Sequence, residues 1–246
     1  MTISTAVILA AGRGTRLAGA GLEVPKGLVE IGGETLVGRS VRQLQQRGIT
    51  DVLLVTGHQA QLYEAFAAAR PGVRCLYNPN YSAMGSLESL YCALNVAANS
   101  FLLLDSDILY ESRGLDALLK DPAENAALIS SPTGSGDEFY VWTDGSQNIH
   151  HFSKSLADKL EAPAGEHVGI LKVGVPLQGA TLARARGKLR REPMVPYESL
   201  LIELLPEHPM KNAFVHDLLW SEIDNEEMLM TARNVVWPGL LALGDR

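Results

Sequence analysis

The chain of 246 residues is long enough to bury a core without staples, and fits one ordinary α/β domain or two small ones. Hydrophobic residues make up 46% and charged residues 20%, while a net charge of −7 excludes broad, non-specific nucleic-acid binding. Any phosphate ligand must therefore be met by a few focused cations. No apolar run reaches membrane-spanning length, and no charged region followed by an apolar stretch opens the chain. Cys75 and Cys92 form no metal or disulfide pattern. The expectation is a cytoplasmic protein with reduced thiols, whose partners include neither nucleic acid nor membrane.

In chain order, "TAVILA" (5–10) reads as a buried strand. "ETLVGRSVRQLQQRG" (34–48) places Leu36, Val37, Ser40, Val41 and Leu44 on one helical face, with Gly48 to stop it. "DVLLVTG" (51–57) is a strand, "QLYEAFAAA" (61–69) a helix ended by Pro71, and "VRCLYN" (73–78) a strand. "SLESLYCALNVAA" (86–98) is a helix and "FLLLDSD" (101–107) a strand. This alternation predicts an α/β fold: a Rossmann-like, doubly wound, mostly parallel sheet covered on both faces. After about residue 125 the pattern changes. "NAALISS", "EFYVWTDGSQNIHHFS" and "HVGILKVG" read as strands, the middle pair joined at "DGSQ". Helices follow at "PYESLLIELL" and "NEEMLMTARN". No linker rich in Pro, Gly or Ser interrupts the chain, so residues 1–246 are predicted to form one domain with a mixed second half. The apolar tail around Trp237, Leu240 and Leu241 covers either the core or a partner subunit, and a homodimer is the expectation for the second case.

"AAGRGTRLAG" (10–19) follows the first strand, where open parallel sheets bind ligands. Gly12 and Gly14 let backbone approach an anion, and Arg13 and Arg16 offer guanidinium forks. It is not a dinucleotide fingerprint, because Leu17 stands at the third glycine position and "LLVTG" ends without an acidic residue. No G-x-x-x-x-G-K-[ST] string exists either. "FLLLDSD" ends in Asp105 and Asp107, two residues apart on one strand face. Carboxylates at a strand end suit Mg²⁺, although the pair reads equally as turn residues. Asp224 in "WSEIDNEEMLMTA" opens a helix as well as any N-cap.

"AVILAAGRGTRL" with "PKGLVEIGGETL" resembles the G-x-G-T-R … P-K signature of the nucleotidyltransferases that make activated sugars and alcohols. The resemblance implies a nucleotidyltransferase, GT-A-like fold with a nucleoside triphosphate over the glycine loop. Arg16 would then bind the distal phosphates and Lys26 the phosphate under attack, where fixed cations stabilise crowded negative charge. It further implies Asp107 and, through W-x-E-I-D, Asp224 as ligands of Mg²⁺, with Asp105 organising the loop.

"YNPNYSAMGSLESLYCAL" narrows the resemblance. Asn78, Tyr81 and Ser89-Leu90-Tyr91, together with "GEHVGILKVG", are similar to the small CTP-dependent cytidylyltransferases that act on phosphocholine and on phosphonates. That branch implies CTP as donor, bound in the half 1–125, and a small phosphate- or phosphonate-bearing acceptor in the half 126–246. Leu9, Ala11, Gly12, Gly14, Thr15, Arg16, Lys26, Ser89 and Asp105 would hold the nucleotide, with cytosine read by backbone near Ala10 to Gly12 and by the helix around Ser89. Lys26, Arg16 and Asp107 would carry catalysis. The acceptor is expected at Ser82, Gly85 and Ser86, where hydroxyls and a helix start suit an anion, although Ser86 is equally a plain N-cap. Such an acceptor is phosphonoformate, 2-aminoethylphosphonate or a phosphocholine-like molecule. Lys154 in "NIHHFSKSL" is the expected cation for the attacking oxygen, with Lys172 in "ILKVG" the alternative. Trp142 reads as core and the adjacent His150 and His151 as structural or rim residues. The expected reaction transfers CMP and releases pyrophosphate; a sugar-1-phosphate nucleotidyltransferase and an inactive nucleotide-binding relative are the alternatives.

Overall fold

The structure is a computed structural model, and it describes residues 3–14 and 24–245. β1 (Thr5–Ala10) is buried along its whole length. A 3-10 turn at Lys26–Leu28 leads into β2 (Glu30–Ile31) and β3 (Glu34–Thr35), joined by Gly32 and Gly33, both at positive φ. α1 (Leu36–Gln46) begins on Thr35, whose hydroxyl accepts the Gly38 N–H at 3.0 Å. β4 (Asp51–Thr56), α2 (Ala60–Ala68), β5 (Val73–Tyr77), α3 (Ser86–Leu94) and β6 (Phe101–Asp105) continue the predicted alternation. Strands β5, β4, β1 and β6 lie side by side and parallel.

Burial on both faces explains the near-continuous apolar runs. Val7, Leu9, Val55 and Leu103 share one core with Leu87, Leu90 and Leu94 of α3. Their neighbours Ile8, Leu54 and Leu104 share the other with Val41 and Leu44 of α1 and with Tyr63 and Phe66 of α2.

The second half extends the same sheet. β7 (Ile108–Tyr110), α4 (Arg113–Lys120), β8 (Ala126–Ser130), β9 (Tyr140–Thr143), β10 (Ile149–Ser153) and β11 (Gly165–Val173) come first. α5 (Val175–Arg191), α6 (Tyr197–Leu204), β12 (Lys211–Val215), β13 (Trp220–Glu222), α7 (Glu226–Thr231) and α8 (Trp237–Ala242) follow. β11 is the join: it runs antiparallel to β6 on one side and to β8 and β9 on the other. β12 adds parallel to β8, so nine of the described strands form one mixed sheet. The long helix α5 was not expected from sequence. Its buried face includes Gln178, Thr181 and Lys188, which break the apolar stripe that periodicity needs.

The tail folds back on its own chain. Leu240 is fully buried with Val29, Ile31, Leu36, Ile223 and Leu229, whereas Leu241 is exposed. The Trp237 ring occupies the space where a side chain at Gly32 would stand. Beyond α8, Asp245 supplies the counter-ion of the buried Arg39 at 3.2 Å and accepts the Ser112 N–H. Burial lowers the Arg39 guanidinium below its ordinary value, with Asp245 opposing that shift. Asp245→Ala leaves a buried, unpaired cation and is expected to lower unfolding stability by about 3 kcal/mol. Urea unfolding at pH 7 measures this, and an unchanged midpoint would show that the pair does not hold the tail.

Candidate active site

The carboxyl ends of β1 and β6 are adjacent, with Leu9 in register with Asp105. The loop leaving β1 passes over the stem of Lys26: Gly14 has φ of 58°, and a Cβ there would stand 3.0 Å from Lys26 Cγ. A side chain at this position would meet both a strained backbone and Lys26. Lys26 itself opens the 3-10 turn after Pro25.

Asp107 meets Asp224 through a small ribbon. β7 pairs antiparallel with β13, with Ile108 opposite Glu222, and the Ile223 N–H donates to the Asp107 carbonyl at 2.8 Å. Lys26 Nζ lies 3.0 Å from Asp107 Oδ2 and makes a closer ion pair with Asp224 Oδ1. Oxygens of Asp107, Glu222 and Asp224 all fall within 4.8 Å of one another. Burial and then the Asp107 charge push Glu222 up to about 7, with Lys26 opposing. An all-carboxylate donor set of this size fits a hard divalent cation such as Mg²⁺, which prefers oxygen and keeps part of its water shell.

A cleft of about 430 Å³ brings together Leu9, Ala11, Gly12, Gly14, Lys26, Ser89, Asp105, Asp107, Lys154 and Asp224. Thr15 and Arg16 lie outside the described residues. A second cavity of about 150 Å³ opens beside the cleft and shares Asp105, Lys154, Glu198 and Glu222 with it. Asp137, Phe139, His167, Gly169 and Trp220 are among the other residues that line it. Lys154 sits at the junction, paired with Asp137 at 2.5 Å.

The second cavity is acidic. Asp105 is held by the Tyr197 hydroxyl, which donates to Oδ2 at 3.3 Å, and lies over Gly169, whose φ is 85°. Burial, reinforced by Glu198 and Asp107, pushes the Asp105 carboxyl well above the usual carboxylate range. Burial also pushes Glu198 up to about 7, and its buried Oε2 makes no hydrogen bond among the described residues. Burial drives His167 down to about 4, so its ring is neutral near pH 7.

Three sequence expectations need correction. Lys172 does not reach the acceptor region. It is in register with Leu102 near the start of β6, at the opposite end of the sheet, and its Nζ donates to the Asp121 carbonyl at 2.5 Å. Ser82 is exposed in the turn before α3 and lines neither cavity. Gly85 and Ser86 do line the cleft, but this helix start is already engaged by the chain itself. The Gly85 N–H donates to the Pro193 carbonyl at 2.9 Å, and Ser86 Oγ accepts the Tyr197 N–H at 3.0 Å. A side chain at Gly85 would strike the backbone of Met194 and Val195. Ser86 is therefore the first residue of the helix and not its N-cap, and its acceptance of the Tyr197 N–H leaves its own proton to donate.

Glu222, Tyr197 and Glu198 were missed. Glu222 stood within "WSEID", where only Asp224 was singled out. Tyr197 and Glu198 open the helix expected at "PYESLLIELL", where no motif marks them. Trp142 is core, its Nε1 donating to the Glu161 carbonyl at 2.9 Å.

A family model described as the MobA-like NTP transferase domain matches residues 6–184. The chain is 26% identical over 239 residues to CMP-5'-(3-aminopropyl)phosphonate synthase of Streptomyces rubellomurinus, covering 89% of this chain and 37% of that protein. It is 30% identical over 107 residues to choline-phosphate cytidylyltransferase of Streptococcus pneumoniae, covering 44% and 46%. The aligned chain thus spans less than half the length of both curated relatives. Among solved structures, the inositol-1-phosphate CTP transferase from T. maritima superposes with a TM-score of 0.80 at 17% identity, covering 98% of this chain and 96% of that one. The CTP:phosphocholine cytidylyltransferase from Streptococcus pneumoniae gives 0.78 at 18%, covering 96% and 99%. The expected mixed, mostly parallel nucleotidyltransferase fold is borne out. No helix among the described residues is long and apolar enough to cross a membrane.

Lys26 neutralises carboxylates that a divalent cation would also neutralise, so the two compete. Millimolar Mg²⁺ is expected to raise the melting temperature of Lys26→Ala more than that of the natural chain, by about 3 °C at tenfold excess over Kd. Thermal melts with and without MgCl₂ check this. Asp224→Asn should abolish the rise, and a shift that survives Asp224→Asn would place the cation elsewhere.

Proposed function

Because the chain belongs to the MobA-like NTP transferase domain family, we propose that it transfers CMP from CTP to a small phosphonate or phosphate that also carries a protonated amine, releasing pyrophosphate. The observation that carries this reading is the convergence of Lys26, Asp107, Glu222 and Asp224 at the mouth of the β1 loop. That constellation suits phosphoryl transfer, which needs little covalent chemistry from the protein and much fixed positive charge.

In this reading an ionised acceptor oxygen attacks the α-phosphorus in line. A new P–O bond forms, the bond to the β-phosphate oxygen breaks, and pyrophosphate departs with the electron pair. The attacking oxygen is already anionic near neutral pH, so no general base is required. Gly12 and Gly14 allow backbone to approach the triphosphate, and Lys26 Nζ donates to the α-phosphate. Lys154, at the junction of cleft and cavity, steers the acceptor's anionic end. Asp107, Asp224 and Glu222 would hold Mg²⁺, which when bound offsets charge on the triphosphate.

The acidic cavity favours an acceptor whose far end is cationic. Four carboxyl groups line it beside a neutral His167, with Asp137 already paired to Lys154, and an unpartnered Glu198 oxygen is available to an ammonium N–H. A second anionic group, as in phosphonoformate, would be repelled. The name of one curated relative, which specifies an aminopropyl group, is consistent with this, and the choline in the other's name matches the cationic charge though it has no N–H.

Pyrophosphate release tests the reading, with Mg²⁺, each nucleoside triphosphate, and a panel of phosphonates and phosphates. Turnover is expected with CTP and an aminoalkyl phosphonate or phosphate, and Asp107→Asn should lower it by on the order of 10²-fold while leaving the fold intact. Release with a sugar 1-phosphate alone, or with no pair, would overturn the proposal. Glu198→Gln is expected to raise the acceptor KM at least about tenfold and leave the CTP KM within about twofold. Glu198 is charged only above about 7, so acceptor kcat/KM in the natural chain should fall as pH drops through that value. The fall should be shallower in Glu198→Gln, where Glu222, also displaced to about 7, still titrates, and an identical pH profile in both would remove Glu198 from the acceptor site.

A further inference from the structure

Asn78 is fully buried just beyond β5. Its backbone N–H donates to the Thr56 carbonyl at 2.8 Å, which extends the pairing of β4 with β5 by one step. Its side-chain Oδ1 accepts the Asn80 N–H at 2.9 Å. That contact fixes the amide, because a backbone N–H only donates. Nδ2 therefore faces Ser89 Oγ at 3.0 Å and donates to it.

Ser89 projects from the second turn of α3 and lines the cleft beside Leu9, Ala11, Gly12 and Tyr81. Its oxygen is occupied by Asn78, so its own proton must point elsewhere. No acceptor among the described residues takes that proton. Ser89 thus has its proton available to the cleft, with one position around its oxygen taken by a buried amide. A hydroxyl normally adapts by rotating, and here Asn78 narrows that freedom.

We propose that Asn78 is a specificity-positioning residue. It fixes Ser89 as a hydrogen-bond donor toward N3 of the pyrimidine, and so selects cytosine over uracil. Cytosine N3 is an acceptor, whereas uracil N3 carries a hydrogen that would oppose the Ser89 proton. Discrimination of this kind comes from a buried polar group left unpaired or opposed by the wrong base. The inference rests on the reading of the cleft as a CTP site.

Asn78→Asp is close to isosteric and reverses the polarity. Its carboxylate accepts the Ser89 proton, so a lone pair faces the base. The ratio of kcat/KM for CTP to that for UTP, measured by pyrophosphate release with one acceptor, is expected to fall by at least about tenfold. The change should appear mainly as a higher KM for CTP. Ser89→Ala should lower kcat/KM for CTP more than for UTP, and it decides the matter if Asn78→Asp folds poorly. Calorimetric titration with CMP and UMP should show the same loss of preference in both variants. A natural chain that turns over CTP, with variants that keep its CTP-to-UTP ratio within about twofold, would overturn the assignment alone. A natural chain inactive with CTP would overturn the transferase reading and the assignment together.

Discussion

The ion pairs of Lys26 with Asp107 and Asp224 are the constraint on which the site's architecture depends. Each residue comes from a different part of the chain, and each is placed by backbone pairing. Lys26 follows Pro25 at the start of a 3-10 turn, Asp107 follows the central strand β6, and Asp224 follows β13. The short β7–β13 ribbon matters more than its size suggests, because its register and the Ile223-to-Asp107 hydrogen bond set where the last carboxylate stands. Beneath it, Leu109 and Ile223 are buried with residues of α7 and the tail. The tail is thus coupled through packing to the position of Asp224, although it contributes nothing to the cleft itself.

Much of the first half was legible because its rules are local. Apolar runs buried on both faces mark parallel strands, and a Thr at position 35 or a Gly at 48 marks a helix boundary. The same rules failed for β7 and β13, which are too short to show periodicity, for β12, where only Ala213 and Val215 are buried, and for α5, where Lys188 and Thr181 interrupt the stripe. Within the site, Lys26, Asp107 and Asp224 were legible because each sits in a compact motif. The errors at Gly85 and Lys172 share one cause. Sequence shows which residues offer hydrogen-bond groups but not which groups the fold has already used. Pro193 takes the Gly85 N–H, and Asp121 takes the Lys172 ammonium, which also lies at the far end of the sheet.

That engagement of the α3 start has a structural reason. The segment 193–195 crosses the helix end closely enough to require glycine at 85, and it carries Tyr197 and Glu198 to the edge of the cleft. The backbone that closes off an anion site on one side therefore delivers a carboxylate on the other. One glycine position thus bears on which charge the neighbouring cavity prefers.

The two cavities share Asp105, Lys154, Glu198 and Glu222, and differ in what else lines them. On the loop side, Lys26 and the glycine backbone favour phosphate. On the far side, Asp105, Asp137, Glu198 and Glu222 are gathered around a His167 that burial keeps neutral. Burying carboxylates in so small a space is unfavourable by itself, and the upward displacement of Asp105, Glu198 and Glu222 expresses chiefly that burial, with like-charge repulsion added at Asp105 and Glu222. A ligand bearing a cation at one end and an anion at the other relieves the strain on both sides at once. A wholly anionic ligand relieves only one. In the proposed reading the acceptor's reacting end stays on the loop side while the second cavity meets its far end, which is how a small cavity would discriminate among acceptors that share the same reacting group.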